Sequence, residues 1–173
     1  MKKSFIFLSL LILTSSSLAN NQLDSVRLKY DHQLELNQTH KFNDNQIRSF
    51  VYYWFGLHDK HLPIDKSTVL LSDTNLLMVY PEITVHNKAD YKKWYDGVGE
   101  NIKSNVHQVK SLNIKMLDNH RYQIDLVVNW QAIDKNNKFI NIDATQTWIL
   151  MDGSSDAHPL IEQYRVINFK PVT

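Results

Sequence analysis

The sequence predicts an α+β domain with helices on one face of an antiparallel sheet, and two observations carry that prediction. Residues 121–151 read as two long strands joined by a tight polar turn. Around them the order is helix, helix, strand, helix and then four strands without helical interruption, a segregation typical of α+β rather than of alternating βαβ units. In the first arm Tyr122, Ile124, Leu126, Val128 and Trp130 alternate with Gln123, Asp125, Asn129 and Gln131, the period of a half-buried strand. In the second arm Ile140, Ile142, Ala144, Trp148 and Leu150 alternate with Asn141, Asp143, Thr145 and Thr147. The link, residues 134–138, is Asp-Lys-Asn-Asn-Lys, which tolerates left-handed backbone. Gln146 falls in phase with the apolar set, so a polar amide points into the core or into a cavity within it.

The chain starts with Met1-Lys2-Lys3, an apolar run over residues 5–13 and then small residues up to Ala19. That order predicts a cleavable signal peptide over residues 1–19, cut after Ala19, and a periplasmic or secreted product. The run is too short to span a bilayer, and no membrane span is expected once the leader is removed. About 150 residues then remain, enough for one domain with a real core. There are 19 Lys and Arg against 18 Asp and Glu, so charge gives no case for nucleic acid as a partner. The absence of cysteine excludes disulfides, thiolate metal sites and a cysteine nucleophile.

Residues 20–43 read as a loosely docked N-terminal arm, with Leu23, Val26 and Tyr30 on one or two helical turns and Leu34 with Leu36 on a short edge strand. The main domain is expected over 44–173. Its first helix spans residues 44–59 with Asp44 as N-cap, and Ile47, Phe50, Val51, Trp54 and Leu57 form an apolar stripe. Pro63 forbids its continuation. Residues 62–72 hold a short second helix with Val69, Leu70 and Leu71 inward, and residues 75–81 a strand that 82–87 continues past Pro81. Residues 90–104 form a third helix, in which Gly97 and Gly99 suggest close packing. Residues 106–117 make a strand with Leu112, Ile114 and Met116 on one face and His107, Ser111, Asn113 and Lys115 on the other, Val109 breaking the alternation. Residues 161–169 make the last strand.

Several of these residues together resemble the nuclear transport factor 2-like superfamily, which includes SnoaL-like polyketide cyclases, ketosteroid isomerases and scytalone dehydratases. They are the aromatic first helix ending in Leu57-His58-Asp59, Leu70-Leu71-Ser72-Asp73 after the short helix, and the helix carrying Tyr91 and Trp94. His107 opening a strand, Trp130 near the end of the next, and Gln146-x-Trp148 complete the set. The resemblance covers residues 44–170. It implies a cone-shaped half-barrel: a curved antiparallel sheet wrapped around the long helix, with two further helices and a pocket, often paired through the outer sheet face. Such a fold hosts enzymes, binding modules and assembly domains alike.

Enzymes of this family place acids, histidines or tyrosines in the pocket. The resemblance therefore makes Asp59 and His107 the catalytic candidates, each with a plainer reading: a solvated helix-end carboxylate and a hydrogen-bonded strand histidine. Asp125 is out of phase with the apolar row and points outward. Tyr53, Trp54, Trp94, Trp130, Gln146 and Trp148 are the candidate pocket lining, able to hold a flat or apolar ligand by packing and one directed hydrogen bond. The same tryptophans serve equally as core. Tyr164, Glu162 and Arg165 reach toward the pocket mouth. Eight histidines invite a metal, but His58 and His61 lack a partner cluster at ligand spacing, so no metal and no cofactor is expected. No phosphate loop and no Gly-x-Ser-x-Gly elbow is present. Three readings follow: an exported domain binding a small apolar or aromatic molecule; an isomerase, cyclase or dehydratase using the same pocket, with Asp59 or His107 as base and Tyr53 or Gln146 polarising a carbonyl; or an assembly module with a filled pocket. A homodimer through the polar outer sheet face goes with the last.

Overall fold

The computed structural model describes residues 6–154 and 157–172, with side chains described from Asn20 onward, so the expected leader over 1–19 lies outside the fully described residues. The chain divides into two units, Met1–Thr39 and His40–Thr173. The first holds a helix, α1 (Ile6–Thr39), which contains no glycine or proline to interrupt it. Leu34 and Leu36 are thus helical rather than on an edge strand, and Leu23, Val26 and Tyr30 lie on the same helix. Among the described residues no helix is long and apolar enough to cross a membrane.

The second unit opens with α2 (Asp44–Asp59). Its N-cap is Asn43, not Asp44: the Asn43 side chain accepts from the Gln46 amide at 3.0 Å, and Gln46 Oε1 accepts from the Asn43 amide at 2.9 Å, a reciprocal capping box. Asp44 instead pairs with Arg48 one turn on, at 2.6 Å. The expected stripe is buried, and Phe55 joins it. At the other end the amide of His61 bonds the carbonyl of His58 (3.1 Å), and the amide of Leu62 bonds that of Leu57 (3.0 Å). This is a Schellman closure, and it requires a left-handed residue at its centre. That residue is His61 (φ 48°), where glycine is usual.

After α3 (Asp65–Thr68), Leu70 and Leu71 are buried while Val69 is exposed: the helix is one turn long, residues 69–70 continue as a turn, and Leu71 then bridges to Ile161. Strand β1 (Leu77–Val79) stops before Pro81, and the chain folds back into β2 (Thr84–Val85) rather than running on; the Tyr80 amide bonds the Ile83 carbonyl at 2.9 Å across that turn. Helix α4 (Lys88–Asn101), capped by Asn87, leads directly into β3 (Ile102–Leu117). The hairpin is β4 (Arg121–Asp134) and β5 (Phe139–Met151), its turn closed by Asp134 Oδ1 accepting from the amides of Asn136 and Lys138 and by Asn137 at φ 64°. Strand β6 (Leu160–Pro171) completes the sheet.

The sheet order is β2-β1-β6-β5-β4-β3. It is antiparallel except where β1 runs parallel to β6, with Met78 beside Tyr164, so the expected all-antiparallel sheet gains one parallel seam. Register shifts interrupt the ladders at Ile102/Ser104, Val109/Ser111, Thr145/Gln146 and Ile149/Leu150. Each extra residue bends its strand and adds twist. The result is a curved, unclosed sheet with α2 in its concave face, where Trp54 meets Trp148 edge-on at 6.3 Å. On the outer face Thr147 donates to Asp125 (2.6 Å), Asn129 to Asp143 (2.9 Å) and Lys110 to Asp143 (2.8 Å), a row of mutually satisfied polar side chains.

Candidate functional site

The concave face of the sheet and helices α2 and α4 enclose a cavity of about 560 Å³, partly open to solvent. Its walls are aromatic: Trp54 and Phe55 from α2, Trp94 and Tyr95 from α4, Tyr80 after β1, Trp130 from β4 and Tyr164 from β6. Gly97 and Gly99 also border it. A Cβ at either would meet nothing within 4 Å, so these glycines leave space open rather than permit the close packing expected of them.

His107 lines this cavity. Strict alternation from Leu112 would have put it on the outer face, but the shift at Val109/Ser111 inserts one residue and reverses the phase. The break in pattern at Val109 is that bulge. It brings His107 between the rings of Phe55 (4.7 Å, near-parallel) and Trp130 (6.5 Å). Its Nδ1 lies 2.5 Å from Asp59 Oδ1, with the two side chains 17% and 20% exposed, so Asp59 is not a solvated helix-end carboxylate, whereas His107 is hydrogen-bonded as its plainer reading has it.

Asp59 is itself fully engaged. Oδ1 also accepts from Asn105 Nδ2 at 2.9 Å, and Oδ2 accepts from the backbone amide of His107 at 3.0 Å. A carboxylate only accepts, so His107 Nδ1 carries the proton toward it and Nε2 of the neutral ring holds the lone pair. Asp59 is therefore the residue that orients, and His107 the one that can act as base. Behind them His61 Nε2 donates to Asn105 Oδ1 at 2.7 Å, which fixes the direction of that amide. The left-handed backbone at His61 is what places its ring at the cavity wall.

A second histidine has the opposite character. His58 Nδ1 donates to the Trp54 carbonyl (2.7 Å), and Nε2 accepts from the Tyr91 hydroxyl (2.8 Å). Burial, reinforced by the neighbouring His107, pushes its pKa down to about 4. It stays neutral and holds Tyr91, whose own hydroxyl burial pushes well above the ordinary phenol range. Tyr80 stacks on Trp94 (4.2 Å, 15°), and Trp94 Nε1 donates to Glu82 at the mouth (3.2 Å). Among the described residues no group of three histidine, aspartate or glutamate side chains converges to hold a metal ion.

Of the lining expected from sequence, Trp54, Trp94, Trp130 and Gln146 border the cavity. Tyr53 does not: it is 53% exposed, because the inward stripe of α2 runs through Phe50, Trp54 and Leu57 and leaves position 53 on the opposite side. Trp148 is wholly buried behind the wall, between Phe55 and Tyr164, and supports the lining without forming it. Glu162 is not at the mouth; it is buried and takes a two-point bond from Arg121 (2.7 and 2.9 Å). Asn105, His61 and Tyr80 were not singled out as site residues by sequence. For Asn105 a signal existed, its spacing of two from His107 on a strand, which puts both on one face.

No protein-family profile matches the chain, and no curated protein matches it in sequence. Solved structures do match in shape. A nuclear transport factor 2-like superfamily protein from Salmonella enterica serovar Typhimurium superposes with a TM-score of 0.64 at 9% identity, over 75% of this chain and 90% of that one. A hexachlorocyclohexane dehydrochlorinase from Novosphingobium barchaimii gives 0.62 at 14% identity, over 74% and 88%. A protein from Novosphingobium aromaticivorans named for scytalone dehydratase gives 0.61 at 11% identity, over 75% and 87%. At these identities the likeness is one of fold: the chain has the nuclear transport factor 2-like fold.

Proposed function

We propose, from this fold and the geometry of its cavity, that the protein is an acid–base enzyme acting on a small apolar or aromatic molecule, with His107 as general base. One observation carries the reading: the bond from His107 Nδ1 to Asp59, which leaves Nε2 as the lone-pair nitrogen of a ring that lines an aromatic cavity. Nε2 takes a proton from carbon. The electron pair left behind moves to an adjacent carbonyl, giving an enolate for isomerisation, or expels a leaving group on the neighbouring carbon, as in dehydration or dehydrohalogenation. Asp59 stabilises the imidazolium that forms, and Asn105 with His61 keeps the carboxylate in place. Structural neighbours named for a dehydratase and a dehydrochlorinase support this reaction class. The cavity walls, almost devoid of charge, support an uncharged substrate.

The test is hydrogen–deuterium exchange at the α-carbon of a panel of cyclic ketones in deuterated water, followed by NMR. The protein is expected to accelerate exchange of at least one member. His107→Ala should remove about 10²- to 10⁴-fold of that acceleration, and Asp59→Asn a comparable part by releasing the ring. Absence of exchange across the panel, with a ligand still found in the cavity, would return the protein to a binding role without catalysis. The charged, apolar and small-residue order of residues 1–19 supports export as the setting for either role.

A further inference from the structure

The cavity extends well beyond the histidine that would take the proton. His107 on β3, Trp130 on β4, Gln146 on β5 and Val166 with Phe169 on β6 all border it, so its sheet wall crosses four neighbouring strands. Adjacent strands lie about 4.8 Å apart, and the three steps from β3 to β6 make that wall roughly 14 Å long. A single ring at His107, where Phe55 and Trp130 flank the imidazole, covers only the β3 end.

The β6 end has its own local cause. Ala144 pairs with Phe169 and Gln146 with Val166, which leaves Ile167 as an extra residue on β6. Alternation from Tyr164 and Val166 would have turned Phe169 to the outer face, and the bulge returns it to the concave one. There Phe169 borders the cavity and is 40% exposed, so packing within the domain leaves it partly uncovered. The α4 side is open as well. Gly97 and Gly99 lie in the last two turns of that helix, where glycine weakens it, and a Cβ at either would meet nothing within 4 Å. Close packing does not account for them; their effect is room beside the cavity. The path so defined is apolar, since Ala144, Val166 and Phe169 carry no hydrogen-bonding side chain. It is also bent, because the bulge kinks the β5–β6 ladder between Val166 and Phe169. A flexible chain follows such a bend, and a rigid flat molecule of the same length does not.

We propose that the ligand has two parts: a compact head that meets His107, and a flexible, uncharged alkyl chain that follows the wall to Val166 and Phe169, with Gly97 and Gly99 leaving room for it. This rests on the cavity being the site proposed above, and it names the ligand class. Phe169 and Gly97 then set the length of chain that is accepted, apart from the residues that handle the proton.

The test measures binding of 2-pentanone, 2-heptanone, 2-nonanone and 2-undecanone to the full-length protein by calorimetry, with deuterium exchange at their α-carbons read by NMR. Affinity is expected to rise about fourfold with each methylene that the wall covers. Phe169→Asp, a charge on the path at a partly exposed position, should flatten the series, and Phe169→Leu should keep its slope. Gly97→Leu, which strengthens the helix it sits in, should lower the ratio of 2-undecanone to 2-pentanone affinity roughly tenfold. The assignment is overturned by a rise that survives in Phe169→Asp, by an unchanged ratio in Gly97→Leu, or by no rise in the unaltered protein. Exchange on 2-pentanone that persists in any of those cases leaves His107 as base, so the two readings fall separately. A rise without exchange on any ketone keeps the chain site and withdraws the catalytic role, and binding of none of the four overturns both.

Discussion

His58 stores a pH dependence in a single ring. The Trp54 carbonyl accepts from Nδ1 in either charge state, but the Tyr91 hydroxyl donates to Nε2 only while the ring is neutral, and burial opposes the charged form. The folded pKa near 4 lies below the unfolded value of 6.5, so the unfolded chain binds the proton more readily between them. Stability from this residue is complete above pH 6.5 and is lost as pH falls toward 4, by roughly 3 kcal/mol in total. Urea unfolding at intervals across that window should show the decline. In His58→Gln, which keeps a donor and an acceptor but does not titrate, the slope should flatten; an unchanged slope would assign the acid sensitivity to other groups. The site residues differ in how readable they were. His107 and Asp59 stood out by type and place, but how they pair was hidden. That depended on Asn105, on the backbone amide of His107 and on a bulge that alternation records only as a misplaced Val109. Tyr53 and Trp54 are adjacent aromatics on one helix, and only the angle between successive residues separates wall from surface.

At the scale of elements, α2 shows how a cap is decided by geometry rather than residue preference. Asn and Asp are equally good N-caps, and they stand side by side at positions 43 and 44. What selects Asn43 is Gln46 three residues later, which completes the capping box. Asn43→Ala should accordingly cost about 1 kcal/mol in urea unfolding. Asp44→Ala should cost under about 0.5 kcal/mol, since its pair with Arg48 is half exposed; the reverse order would show the cap to be misassigned. The hairpin and α2 were legible because their periodicity is long and clean. Strand β2 was not, being two residues long, and neither was α1 beyond Asn20. There, scattered apolar residues carry no helical stripe, although the chain is helical.

The fold of the second unit followed from element order and from motifs spread over residues 44–170, whereas the parallel seam did not, since no local pattern announces which strand a short β1 will choose. The proposed export belongs to this scale too. Cleavage after Ala19 would leave a chain beginning at Asn20, and the intact mass of protein recovered from the periplasm or medium of an exporting host should match that species. Recovery with residues 1–19 attached would count against it. The seam itself bears on how the protein is made. Strand β1 leaves the ribosome before its neighbour β6, with β2, α4 and three long strands made in between. A chain still in synthesis can close the central hairpin, but it has no wall on which Tyr80 and Tyr164 can meet. The cavity is therefore complete only once β6 is made, and a product truncated before it lacks the wall that Tyr164, Val166 and Phe169 supply, however much of the sheet it keeps.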